Sequence, residues 1–123
     1  MSALFTPIKL RDLTLANRIM VAPMCQYSSV DGEANDWHFT HINSLALSGA
    51  AIFCIEATAV EAIGRITPGC LGLYNDATET ALRPILASVL MIGSSANVMI
   101  VPKERSWRPR ASSRRGRVAI PAG

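Results

Sequence analysis

The feature that most constrains this chain is an alternation. Three short apolar runs, at residues 19–22, 51–55 and 97–101, are separated by two stretches with helical spacing. The first run is closed by Pro23, a residue that cannot donate to a sheet ladder. In the first intervening stretch, Phe39, Ile42, Leu45 and Ala46 share one helical face. Asn35 or Asp36 is placed to cap that helix, which is expected to run to about Ser48 and stop at Gly49. In the second stretch, Leu82, Ile85, Leu86, Val89 and Leu90 form an apolar stripe. There Asp76 is placed to accept from early backbone N–H groups, and Glu79 three residues on completes a capping-box pattern. Fully apolar strands alternating with amphipathic helices predict an α/β fold with a parallel sheet and right-handed crossovers. Ahead of these, residues 8–10 and 13–15 alternate around Arg11 and Asp12 and predict a small hairpin.

In such a fold the chemistry gathers on the loops that follow the strands. Two segments are of this kind: Asn17 to Ser29, which carries Pro23, Met24, Cys25 and Tyr27, and Glu56 to Cys70, which carries Ala57, Gly64, Arg65 and Pro68. Read locally, each residue has an ordinary account. A lone cysteine after a strand is usually a small buried residue, Tyr27 suits a pocket rim, and Ala57 suits tight packing. Arg65 suits either a carboxylate ligand or a loop ion pair. His38 and His41 are spaced i, i+3, but no carboxylate or cysteine joins them at zinc-ligand spacing, so no metal site is expected. There is no Gly-x-Gly-x-x-Gly and no P-loop.

Taken together, the two segments resemble the first two strand-to-loop units of the old yellow enzyme family, in the branch with a cysteine and a tyrosine after strand one. The resemblance is seen over about residues 1–90. It implies an FMN-dependent oxidoreductase on a TIM (β/α)8 barrel, using NADPH or NADH to reduce activated alkenes such as α,β-unsaturated carbonyls. It further implies that Pro23, Met24 and Cys25 lie against the flavin, with the Cys25 thiol tuning its redox balance. Ala57 would let the ring approach the backbone, and Tyr27 would face the substrate. The family implies homo-oligomers as well. Its hairpin plugs the bottom of the barrel.

A barrel of this type needs about 250 residues, and this chain has 123. The expected architecture is therefore the hairpin plus the first two to three βα units, incomplete, in residues 1–101, followed by a basic disordered tail in residues 102–123. The phosphate-binding loops, the substrate-binding histidine pair and the proton-donating tyrosine that the resemblance implies have no counterpart here, so the isolated chain is expected to be inactive.

Charge divides at the same boundary. Residues 1–101 hold five Lys/Arg and eight Asp/Glu, and residues 102–123 hold seven and one, which together give the net +3. The tail, rich in Arg, Ser, Pro and Ala without period, has the composition of an out-of-frame reading of a GC-rich gene. Two alternatives follow from the same residues. One is a non-catalytic short chain that associates with a partner chain through its open sheet edges. The other is an Arg-rich arm, with Trp107 for stacking, that binds nucleic acid, although nothing else in the chain resembles a nucleic-acid-binding fold. No apolar run approaches a membrane span, no secretory signal precedes the hairpin, and three unpaired cysteines suit a reducing cytoplasm.

Overall fold

A computed structural model describes residues 2–92 and, as backbone, residues 97–103. After a 3-10 turn at Ala3–Phe5, strands β1 (Ile8–Leu10) and β2 (Leu13–Leu15) form the expected antiparallel hairpin, with Ile8 opposite Leu15. Arg11 takes the left-handed conformation at the turn, with φ 56°. The chain then enters a three-stranded parallel sheet in the order β3 (Met20–Val21), β4 (Ile52–Ala59), β5 (Asn97–Lys103). Helices α1 (Asp36–Ala46) and α2 (Asp76–Ile92) connect successive strands. This is the predicted hairpin–β–α–β–α–β order.

Asn17 sets the start of the sheet. Its side-chain N–H2 donates to the Gly49 carbonyl at 2.8 Å, and its oxygen accepts from the amides of Ile19 (3.0 Å) and Ala51 (3.1 Å). One amide side chain thus ties the residues leading into β3 to those leading into β4. The register follows, with Met20 level with Ile52 and Val21 level with Phe53.

The core lies between the sheet and the two helices. It joins Phe53 and Ile55 of β4 to Ile42 and Ala46 of α1, to Leu82, Ile85, Leu86 and Val89 of α2, and to Leu71. Burying such side chains, at about 25 cal/mol per Å² of apolar surface, is the main force holding the layers together. Of the predicted α2 stripe, only Leu90 stays about half exposed. The α1 face differs more. Phe39 is 47% exposed, and the buried positions are His38, Ile42, Asn43 and Ala46. Two polar residues take the inward positions because each finds a partner there. Asn43 accepts from the Ser88 hydroxyl on α2 at 2.9 Å, and its amide donates to the Phe39 carbonyl at 2.7 Å.

Several boundaries move for identifiable reasons. Helix α1 ends at Ala46, and Gly49 beyond it has the φ of 78° that a helix stop favours. The cap of α2 falls to Asn75 rather than Asp76. The Asn75 side chain accepts from the Thr78 amide (2.9 Å) while the Thr78 hydroxyl accepts from the Asn75 amide (3.2 Å). Asp76 and Glu79 instead place negative charge in the first turn, and Glu79 pairs with Arg83. Strand β5 runs through Pro102 to Lys103, past the boundary drawn at residue 101, and its pairing with β4 is its only ladder among the described residues. A proline is compatible with such an edge. The predicted disordered tail otherwise lies outside the described residues.

Candidate functional site

The candidate residues sit where β3 and β4 end and their loops begin. The pairing of β3 with β4 ends with Val21 level with Phe53; Cys25 follows four residues beyond it, and Ala57 lies within β4. Both are half-buried, whereas Met24 and Tyr27 are 48% and 54% exposed and Pro23 is also exposed. Among the described residues Arg65 faces no carboxylate. Its guanidinium folds back to donate to the carbonyls of Ala62 (3.2 Å) and Pro68 (3.1 Å) within its own loop.

The loop from Ala22 to Asn35 is long, yet it is clamped at every turn. Tyr27 holds a positive φ of 53°, a conformation that disfavours a residue with a β-carbon by about 1–2 kcal/mol. Hydrogen bonds on both sides hold it there. Ahead of it, the Gln26 amide donates to Glu56 Oε2 at 3.1 Å. Behind it, the Ser28 carbonyl accepts from the Asn35 side chain at 2.7 Å. Ser29 donates from its amide to the Gly69 carbonyl (3.0 Å) and from its hydroxyl to the Cys70 carbonyl (2.7 Å). Farther out, the tip at Asp31 and Gly32 is pinned by the second loop, where the Tyr74 hydroxyl donates to the Asp31 carbonyl at 2.7 Å.

Glu56 is the least expected member of this site. It is 6% exposed, on a strand whose neighbours are apolar. Strict alternation would send it to the face opposite Ile55. A register shift intervenes: four residues on β4, Cys54 to Ala57, lie against three on β5, Met99 to Val101. Such a bulge re-aims a side chain, and the carboxylate reaches both Gln26 and α1. Its Oε1 lies 3.5 Å from His38 Nε2. His38 Nδ1 lies 3.2 Å from the Asn35 amide and 3.1 Å from the Asn35 side-chain oxygen, and Nε2 faces the carboxylate. The 3.5 Å separation is too long for a hydrogen bond, and Nε2 is the one buried side-chain polar atom among the described residues without such a partner. A small cleft beside this pair is bordered by Met24, Gln26, His41, Leu45 and Glu56.

The sequence reading found no carboxylate for His38 because the pairing crosses from helix to strand. His41 stacks on Trp37 with ring centroids 6.1 Å apart, and among the described residues no group of three His, Cys, Asp or Glu is placed together. The signal that points to Glu56 is a carboxylate at the end of an apolar strand run, where an unpaired charge is costly.

The three cysteines differ. Burial pushes the Cys54 thiol up. Burial also pushes Cys70 up, but the Thr67 hydroxyl and the backbone N–H groups of Thr67 and Ile66 outweigh it, so Cys70 is lowered overall. The Thr67 amide lies 3.3 Å from Cys70 Sγ. Cys25 is free and only half-buried.

This arrangement, with two loops at the ends of adjacent parallel strands carrying these residues, can be set beside known proteins. The profile of the NADH:flavin oxidoreductase / NADH oxidase family matches residues 3–115. The chain belongs to that family. The match extends past residue 90, beyond the span of the resemblance, and β5, paired parallel to β4, supplies the third strand. An NADPH dehydrogenase of Listeria monocytogenes is 43% identical over 102 residues, covering 81% of this chain and 30% of the relative. The chain thus spans about 30% of the length of the curated relatives it matches first. Among solved structures, morphinone reductase superposes with a TM-score of 0.74 at 24% identity, over 82% of this chain and 26% of its own. The old yellow enzyme homologue from Zymomonas mobilis gives 0.73 at 24%, over 83% and 28%. These likenesses establish the fold: the described elements are the hairpin, first two βα units and third strand of a (β/α)8 barrel, and the described residues close no barrel. The family consists of FMN-dependent oxidoreductases that use a nicotinamide nucleotide.

Proposed function

We propose that this chain forms the strand-one and strand-two wall of the flavin site in an FMN-dependent NAD(P)H oxidoreductase that reduces activated alkenes. The observation that carries the reading is the clamped loop after β3, which leaves Met24 and Tyr27 exposed and Cys25 half-buried. These residues fit a flat polarisable ring. Pro23 and Met24 offer backbone and apolar surface, Cys25 a polarisable S–H donor, and Ala57 a side chain small enough for close backbone approach. Bound FMN would supply two-electron chemistry between NAD(P)H and an enone. In this reading Cys25 adjusts the balance between the two flavin oxidation states, and the Tyr27 hydroxyl donates to the substrate carbonyl. A reducing cytoplasmic setting suits the three free cysteines. No helix among the described residues is long and apolar enough to cross a membrane.

The same exposure sets the limit of the isolated chain. A wall open on one side gives too few contacts to offset the entropy of immobilising FMN, so the 123-residue chain alone is expected neither to retain FMN nor to oxidise NADPH. The positive test is a fusion of residues 1–103 to the remaining C-terminal part of the Listeria monocytogenes NADPH dehydrogenase. It is expected to bind FMN stoichiometrically and to reduce an enone such as 2-cyclohexenone. A folded fusion that binds no flavin would overturn the reading.

A further inference from the structure

Resting on that reading, we propose that Glu56 is a positioning residue for the flavin-facing loop: its buried carboxylate, backed by His38, is the post to which the Cys25–Tyr27 segment is tied. Three observations converge. The Gln26 amide, between Cys25 and Tyr27, donates to Glu56 Oε2 at 3.1 Å. Tyr27 itself sits at φ 53°, so the backbone there needs outside restraint to persist. Behind the carboxylate lies His38, 1% exposed, with Nε2 3.5 Å from Oε1 and without a hydrogen-bond partner among the described residues.

Packing alone does not require this pair. A buried carboxylate facing a buried imidazole is a costly way to fill space, and well-packed apolar residues of similar volume often serve as well. What an apolar residue cannot do is accept from the Gln26 amide. The chain of contacts runs from the α1 cap at Asn35, through His38 and Glu56, to Gln26, and Asn35 closes it by donating to the Ser28 carbonyl. Helix α1, strand β4 and the loop of β3 are thereby locked into one frame, and Cys25 and Tyr27 sit on either side of the bonded amide.

The test has two arms. In the full 123-residue chain, hydrogen exchange is read at the amides of residues 26–29 and, as a control, in α2. Glu56→Met removes the acceptor and is expected to raise exchange at residues 26–29 about tenfold, the scale of one lost hydrogen bond, with α2 unchanged. Glu56→Gln retains an acceptor oxygen and is expected to restore protection to within about twofold. If Glu56→Met alone does not fold, His38→Phe with Glu56→Met removes both polar partners together, which a core tolerates better than losing one, and the same comparison is made. Unchanged exchange at residues 26–29, or an equal rise in α2, overturns the proposal. In the fused enzyme, Glu56→Met is expected to shift the flavin midpoint potential and to lower kcat about tenfold or more, since small misplacements of reacting groups are expensive. Wild-type values of both overturn the link to the flavin. A fusion that holds no FMN defeats the functional reading but leaves the exchange result to decide whether Glu56 ties the loop.

Discussion

Gly69 packs directly onto the backbone of Tyr27. A β-carbon built on Gly69 would lie 2.8 Å from the Tyr27 carbonyl carbon and closer still to its oxygen. The neighbour is backbone, so it cannot swing aside, and the same stretch is held by the Ser29 amide bonding to the Gly69 carbonyl. The loops after β3 and β4 therefore meet at a point that admits only glycine. Gly69→Ala is expected to push them apart and destabilise the chain by about 1–3 kcal/mol, the usual range for overpacking. A lowered urea midpoint with unchanged slope checks it, and wild-type stability would contradict the close approach.

Asn17 makes a different kind of joint. Its side chain donates to the Gly49 carbonyl and accepts from the amides of Ile19 and Ala51, so one residue serves the starts of two strands. Asn17→Ala removes all three bonds. Individual hydrogen bonds contribute about 0.5–1.5 kcal/mol each, and some of the freed groups will find water. A net loss of about 1–3 kcal/mol is expected. Asn17→Asp keeps the acceptor but loses the donor to Gly49, so its loss should be smaller, and thermal unfolding of the two variants side by side gives the order.

These joints also show what the sequence could and could not disclose. The order of elements was legible because apolar runs and helical stripes are local signals, and Leu82, Ile85, Leu86 and Val89 are buried as their spacing predicts. The α1 face misled because periodicity counts Phe39 as core and His38 and Asn43 as surface. Their burial depends on Glu56 and Ser88, both distant in sequence. The cap of α2 slipped by one residue because Asn75 and Asp76 are both competent caps. The candidate residues were located by their place after strands and by resemblance. The frame that holds them, from Glu56 to Gly69, consists of contacts between loops and leaves no periodic trace.

The buried thiols give opposite pH dependences. For Cys70, the Thr67 and Ile66 donors outweigh burial and lower the pKa from the ordinary 9.0. The unfolded thiol then binds its proton more tightly than the folded one, so stability is gained as pH rises through the folded pKa towards 9.0 and lost on the way back down. For Cys54, burial raises the pKa above 9.0, so the contribution is complete below 9.0 and declines as pH rises through the folded value. Denaturation profiles from pH 6 to 10 are expected to lose their rise towards pH 9 in Cys70→Ala and to lose part of their fall above pH 9 in Cys54→Ala. The reverse assignment would show that Thr67 does not stabilise the thiolate.

Cys25 and Tyr27 are two residues apart and are assigned separate tasks, which two substitutions in the fused enzyme can separate. An S–H donor near the flavin favours the more electron-rich reduced ring. Cys25→Ala is therefore expected to lower the midpoint potential, by about 20–30 mV if roughly one hydrogen bond's worth of stabilisation is lost in a two-electron couple. Tyr27→Phe keeps the backbone conformation and the ring but removes the hydroxyl. It is expected to leave the potential and the rate of flavin reduction by NADPH near wild type and to slow the step that consumes the enone about tenfold, the effect of one donor to a carbonyl whose charge grows in the transition state. Stopped-flow measurement of the two half-reactions, with a potentiometric titration of each variant, resolves the pair. A Tyr27→Phe enzyme with an undiminished enone step would remove Tyr27 from the substrate side, and a Cys25→Ala enzyme with an unshifted potential would return Cys25 to a packing role.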